Sequence, residues 1–391
     1  MRIALVVPRY GPEIGGGAEG LARWFAQSLA QDHQVTVLTT TALDYMTWAP
    51  HYATGSDRDG SVGVLRFPVP VKRDVAAFNR LNEYVLESDD IISTEVEERW
   101  MVEQGPVSPA LLDHLGQHGD GYDAVLFIPY LYATTGLGLP LVADRSVLIP
   151  ALHDEAPAYL SIMRRTFRLA KGIGFLTPEE RELAGDLFGR CGHHRSLLGI
   201  GIDTPQPTTP ERDMVPDRPY VLYVGRIDPS KGSLDLFSHH RALLHRHHDA
   251  PMLVLAGRAV VEVPDVPWIR HVGYVSEAEK AALIKGAVCS VLPSPYESLS
   301  ISILEAWSHA RPVIVSSRSK VLVGQARRAN GGLWFDDAAG YADAVMMLAR
   351  DPRLGAQMGE HGRLYTIGRY RTAAVVDRLE RLVHSAASGA A

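Results

Sequence analysis

Apolar positions along this chain fall into short runs, separated by longer stretches in which they recur every three or four residues. Residues 2–8 (RIALVVP), 124–128 (AVLFI), 147–150 (VLIP) and 173–176 (IGFL) are such runs. Runs of that length predict parallel strands covered on both faces. Leu21, Phe25 and Leu29 recur at helical spacing over 18–30, and 34–40 (QVTVLTT) predicts the next strand. The result is a βαβ unit with Gly15-Gly16-Gly17 at the helix entrance. A further strand is expected over 62–67. The remainder of 41–120 reads as mixed helix and loop, rich in aromatic and acidic residues.

Five prolines punctuate 203–219, which reads as a linker. Alternation then restarts. Strands are expected at 220–224, 252–256, 271–275, 289–293 and 312–316. Helices are expected near 234–247, 277–285, 300–310 and 338–349. Residues 372–384 predict a last amphipathic helix, and 386–391 a frayed tail. Two α/β halves, each on a parallel sheet, follow from this order. The expected divisions are 1–200, 201–371 and a closing segment 372–391.

Composition narrows the class. The chain is 46% hydrophobic and 21% charged with a net charge of −6, so no basic field points to nucleic acid. Two distant cysteines, Cys191 and Cys289, form no framework, which fits a reducing compartment. No apolar stretch approaches 18 residues, and the first apolar run breaks too soon for a signal peptide. A cytoplasmic location is expected.

Three turns carry candidate chemistry. The glycine turn at 15–17 suits either a phosphate at a helix N-terminus or a tight turn without ligand; it is neither a dinucleotide fingerprint nor a Walker loop. Tyr223-Val-Gly225-Arg226-Ile-Asp-Pro-Ser-Lys231-Gly232 puts two cations at the carboxyl edge of a sheet, where they either neutralise a diphosphate or are solvated. The third is Ser294–Trp307 (SPYESLSISILEAW), with Glu297 and Glu305 eight positions apart. On one helix they would lie about 80° apart and make a poor acid/base pair. One Glu in the turn and one inside the helix fits better. Both then face hydroxyls across a phosphate-binding helix start at Ser298–Ile301, or Glu297 is a cap and Glu305 is solvated.

Other clusters read as structural. Asp57-Arg-Asp59 lies in GSDRDG and predicts a solvated turn rather than a metal site. His239, His240, His245, His247 and His248 predict a solvated helix face. Arg164, Arg165, Arg168 and Lys171 could touch an anionic membrane. Tyr45, Trp48, His51 and Tyr52 could stack on an acceptor sugar or anchor packing.

Pro293-Ser294-x-x-Glu297-x7-Glu305-Ala306, followed by Arg311-Pro312-Val313-Ile314, resembles the E-x7-E signature of the family 4 retaining glycosyltransferases. YVGRIDPSKG resembles that family's arginine/lysine motif. The glycine turn and Leu152-His153-Asp154 stand in matching order. The resemblance spans nearly the whole chain and is densest over 219–317. It implies the GT-B fold: two Rossmann-like domains facing across a cleft, with the last helix crossing back to the N-terminal domain. It also implies a nucleotide-diphosphate sugar as donor, same-face transfer to a hydroxyl, and no cofactor or metal. The acceptor would be a saccharide, lipid-linked or small molecule, chosen by 41–135, with peripheral membrane contact as an option.

The implied roles follow by position. Arg226 and Lys231 bind the diphosphate, with Gly225 and Gly257 giving close approach. Glu297 holds the sugar hydroxyls and Glu305 the ribose. Ser298, Leu299, Ser300 and Ile301 offer backbone N–H to the phosphates. Gly16 and Gly17 approach from the other domain, and His153 lies beside the sugar with Asp154 toward the acceptor. Leu299-Ser300 replaces the family's Phe-Gly, and Arg311 replaces a small residue. An epimerase or phosphorylase on the same fold, or a catalytically silent nucleotide-binding partner subunit, are the alternative readings.

Overall fold

The computed structural model describes residues 1–14, 17–87, 91–203, 209 and 214–388. It divides into two compact units: Met1–Ile200 with Val375–Ala391, and Gly201–Ala374. Most of the 203–219 linker, and Gly15 and Gly16 of the glycine turn, lie outside the described residues.

Unit 1 contains strands β1 (Arg2–Val6), β2 (Gln34–Thr40), β3 (Gly55–Asp59), β4 (Val62–Phe67), β5 (Ala124–Phe127), β6 (Ser146–Leu148), β7 (Gly172–Phe175) and β8 (His194–Leu197). Its helices are α1 (Gly17–Leu29), α2 (Val75–Glu87), α3 (Thr94–Gln104), α4 (Pro109–His118), α5 (Ala133–Gly138), α6 (Ser161–Leu169) and α7 (Pro178–Phe188). The sheet order is β3-β4-β2-β1-β5-β6-β7-β8. Every pairing is parallel except β3 with β4. Ile3, Ala4, Leu5 and Val6 of β1 are fully buried, as a strand covered on both faces requires.

GSDRDG is therefore an edge strand rather than a turn. Asp59 is tied to α1: its carboxylate accepts from Arg23 Nε at 2.7 Å and from Tyr10 OH at 2.9 Å. The Arg23 bond is the main influence that pulls the Asp59 carboxyl below its usual range, against the opposing effect of burial.

Unit 2 contains β9 (Tyr220–Val224), β10 (Met252–Ala256), β11 (Ile269–Gly273), β12 (Cys289–Leu292), β13 (Val313–Ser316) and β14 (Gly332–Phe335). Its helices are α8 (Ser233–Arg246), α9 (Glu277–Gly286), α10 (Ile301–Ser308), α11 (Lys320–Ala329), α12 (Ala338–Arg350) and α13 (Pro352–Tyr370). All pairings of the order β11-β10-β9-β12-β13-β14 are parallel. The histidine cluster on α8 departs from a solvated face. His240 is fully buried, with Nδ1 2.8 Å from Tyr341 OH and Nε2 3.0 Å from the Pro251 carbonyl.

The last helix, α14 (Thr372–Ala387), joins unit 1 from Val375 onward. Arg378 Nη2 donates to the Leu198 carbonyl at 2.8 Å, and a Cβ placed on Gly172 would touch Leu382. The crossing back of the final helix is thus realised. No helix among the described residues is long and apolar enough to cross a membrane.

Candidate functional site

In an open parallel sheet, ligands bind beyond the carboxyl ends of the strands that flank the point where strand order reverses. In unit 2 that point lies between β9 and β12. The arginine/lysine turn leaves β9, and the Ser294–Glu297 turn leaves β12. The two turns meet: Lys231 Nζ lies 2.8 Å from Glu297 Oε1, with side chains 32% and 16% exposed.

Local chemistry fixes both turns. Asp228 caps the short helical turn Pro229–Lys231, accepting Ser230 N–H at 2.9 Å. Burial alone would raise the Asp228 carboxyl; the Ser230 bonds and the Arg226 guanidinium, 3.0 Å away, outweigh it and hold it below the usual range. Arg226 is exposed and paired with that carboxylate. Gly232 has φ +75°, and a Cβ there would lie 2.4 Å from the Pro293 carbonyl oxygen. The loop can press against the end of β12 only because residue 232 is glycine. Gly257 packs similarly close to Gly225: a Cβ on it would lie 2.0 Å from the Gly225 oxygen.

Ser300 caps α10, its hydroxyl accepting Ile303 N–H. The helix therefore begins at Ile301, and Ser298, Leu299 and Ser300 are buried in the turn before it. Ser300 differs from expectation. Its own N–H donates at 3.1 Å to Oε1 of the fully buried Gln325 on α11, so it is already committed within the protein. The first turn of α10, from Ile301, presents the N–H groups that lack intrahelical acceptors. Ser302 Oγ donates to the Val224 carbonyl at 3.2 Å and pins this turn to β9.

Glu305 lies one turn into α10, and is not solvated. Lys280 of α9 reaches it at 2.6 Å and also contacts Glu277 at 2.9 Å. Burial raises the Glu305 carboxyl, and the Lys280 ammonium only partly offsets the rise. The two glutamates of the signature are thus each held by a lysine from another element, a partnership that spacing along the chain does not reveal.

Unit 1 reverses its strand order between β1 and β5. Gly17 opens α1, and a Cβ added there would have nothing within 4 Å, so packing within the chain does not demand glycine. Gly16 lies outside the described residues. His153 and Asp154 follow β6. His153 Nδ1 lies 3.4 Å from Glu155 Oε1, and exposed Asp154 accepts Tyr159 OH at 2.7 Å. Trp48 does not present a face for stacking. It is 2% exposed, packs with Ala42 and Val69, and donates Nε1–H to the Gln104 carbonyl at 2.8 Å. Tyr45 is half-buried, with the Arg9 guanidinium 5.3 Å from its ring centroid. Arg164, Arg165 and Arg168 lie on α6, which buries Met163 and Phe167.

One buried group gave no signal in the sequence. Glu180, on the first turn of α7, is 1% exposed and accepts backbone N–H from Leu152 at 2.7 Å and from Leu176. Burial pushes its carboxyl up to about 8 in spite of those bonds.

Residues 218–351 match the family model described as glycosyl transferases group 1. Among curated proteins, the chain is 28% identical over 301 residues to alpha-D-kanosaminyltransferase of Streptomyces kanamyceticus, covering 67% of this chain and 74% of that one. It is 28% identical over 214 residues to alpha-maltose-1-phosphate synthase of Mycobacterium tuberculosis, covering 46% of this chain and 53% of that one. Among solved structures, sucrose-phosphate synthase of Thermosynechococcus elongatus superposes with a TM-score of 0.71 at 18% identity over 98% of both chains. HepE of Anabaena, solved with UDP and glucose, gives 0.67 at 14% identity over 98% of this chain and 99% of that one. The chain has the GT-B fold, and its residues 218–351 match the family model of the group 1 glycosyltransferases.

Proposed function

We propose that the protein is a retaining, metal-independent glycosyltransferase. It moves a sugar from a nucleotide-diphosphate sugar to a hydroxyl of a saccharide, lipid-linked or small-molecule acceptor. The observation that carries this reading is the 2.8 Å contact of Lys231 with Glu297, which joins two motifs distant in sequence at the switch point of the unit 2 sheet. The named sugar transferases among the relatives support it, and HepE, with UDP bound, supports a nucleotide-sugar donor.

In this reading Lys231 and Arg226 face the diphosphate, together with the N–H groups at the start of α10. A cation and a helix N-terminus stabilise the charge that grows on the leaving oxygen. Glu297 accepts from sugar hydroxyls and Glu305 from ribose hydroxyls. The anomeric C–O bond breaks with its electron pair passing to the diphosphate. The acceptor oxygen bonds the anomeric carbon on the same face, and its proton passes to the departing phosphate oxygen. His153 polarises or positions the sugar.

Thermal denaturation of the full chain with UDP, GDP or ADP tests the nucleotide assignment. A ligand at 100 times its dissociation constant adds about 2.7 kcal/mol. A raised midpoint with one of the three is expected, and none with any of them would overturn the assignment. The anomeric configuration of product, read by proton NMR, tests retention.

A further inference from the structure

The sequence points to His153, while the structure shows what surrounds it within unit 1. The Glu155 carboxylate lies between two groups: Oε1 is 3.4 Å from His153 Nδ1 and accepts Tyr130 OH at 3.1 Å. Tyr130 is 1% exposed, and its N–H donates to the Pro150 carbonyl at 3.0 Å. The phenol is thus fixed in the core, and it fixes the carboxylate. Burial, then Glu155 itself, drive the Tyr130 hydroxyl well above its ordinary range, so it stays a donor.

The backbone under the histidine is held as well. Ala151 has φ +49°, a left-handed conformation that residues other than glycine rarely adopt. Strain of this kind persists where surrounding groups over-determine it. The next residue supplies that restraint: Leu152 N–H is bound at 2.7 Å by the buried Glu180. A strained residue, a backbone clamp and a side-chain clamp converge on one imidazole.

We propose that Glu155, held by Tyr130, is a positioning residue that sets the ring orientation and tautomer of His153. A carboxylate oxygen beside Nδ1 keeps the proton on that nitrogen, so Nε2 carries the lone pair and points away from Glu155. This rests on the assignment of His153 to the sugar side of the reaction. It adds that only Nε2 meets the substrate, as a hydrogen-bond acceptor when the ring is neutral.

The test uses the full chain with ¹⁵N-labelled imidazoles and no ligand. Long-range ¹H–¹⁵N correlation reports the tautomer, and His153→Gln identifies the His153 signals. Native protein should show the Nδ1–H form, and Glu155→Ala should shift the ring toward Nε2–H. Tyr130→Phe, which leaves the carboxylate but frees it, should fall between them. An identical pattern in native protein and Glu155→Ala, or an Nε2–H ring in native protein, would overturn the proposal. In parallel, release of nucleoside diphosphate is followed with UDP-, GDP- and ADP-glucose as probes. Glu155→Ala should lower kcat by about 10–100-fold with little change in KM, the size of effect a misplaced group produces. Unchanged kcat in Glu155→Ala, where His153→Gln lowers it, would also overturn it. If His153→Gln leaves turnover intact, the role of His153 fails instead, and the tautomer measurement still decides whether Glu155 holds the ring.

Discussion

Lys231→Ala should weaken nucleoside diphosphate binding by a predictable and modest factor. A charge-assisted hydrogen bond to phosphate contributes about 1.5–3 kcal/mol. The free protein, however, already pairs Lys231 with Glu297 at 2.8 Å. That pair is partly exposed and contributes only about 0–1 kcal/mol, and phosphate must displace it. The net loss is then about 0.5–3 kcal/mol, or roughly 2–150-fold in the dissociation constant. Glu297→Gln gives the opposite sign. It removes the competing carboxylate, so nucleoside diphosphate affinity should stay level or tighten by up to about 5-fold, while sugar transfer falls. Titration calorimetry with the nucleoside diphosphate and with the bare nucleoside separates the terms, because the nucleoside has no phosphate for Lys231 to hold. Equal losses for both ligands in Lys231→Ala, or weaker diphosphate binding in Glu297→Gln, would refute the reasoning.

Further outcomes are expected from the same geometry. Glu305→Gln should weaken nucleotide binding and erase the preference for ribose over 2′,3′-dideoxyribose, read by the same calorimetry. Glu180 stays protonated in the fold until about pH 8 but ionises near its ordinary value of 4.5 when unfolded. Its stabilising contribution is therefore complete below pH 4.5 and is lost as pH rises through about 8. Unfolding free energies of native protein and Glu180→Gln, from urea titrations, should diverge by an amount on the order of 3–5 kcal/mol across that window, at about 1.4 kcal/mol per unit. Gly232→Ala should cost about 1–2 kcal/mol for the left-handed backbone alone, and more from contact with Pro293, seen as a lowered melting temperature with weakened nucleotide binding. Activity should survive EDTA; loss on chelation that Mn²⁺ or Mg²⁺ restores would contradict the metal-free reading.

Most strands and the order of motifs were legible because buried parallel strands write themselves as apolar runs, and turns at their carboxyl ends carry the polar residues; the edge strands β3, β8 and β14, partly exposed, were not. What eluded the sequence was partnership. Nothing in the spacing of Glu305 points to Lys280, and nothing at Ser300 points to Gln325, since the partners come from other helices. His240 looked like its neighbours, because one face of α8 is set by where Tyr341 of α12 lands. Trp48 took the packing role that stood open beside stacking, and Glu180, a Glu among charged neighbours, carried no sign that it would be buried against the Leu152 and Leu176 backbone. Helix α13 was invisible because Gly355, Gly359 and Gly362 lower helical propensity. They sit on its buried face, where a Cβ on Gly362 would lie 2.1 Å from Trp307 of the site helix.

Helix α14 also governs the order in which the molecule can be assembled. Unit 2 is one continuous stretch, 201–374, and all its residues precede the helix that joins unit 1. Unit 1 joins residues 1–200 to α14 from Val375 onward, and the bond from Arg378 to Leu198 closes a loop of 180 residues. Closing so long a loop costs entropy that grows with the logarithm of its length. During synthesis from the N-terminus, the gap under α14, including Gly172 and Gly174 of β7, stays uncovered until α14 has emerged. Unit 1 is then expected to complete its packing after unit 2, with the β7 face the surface a folding helper would meet before α14 docks.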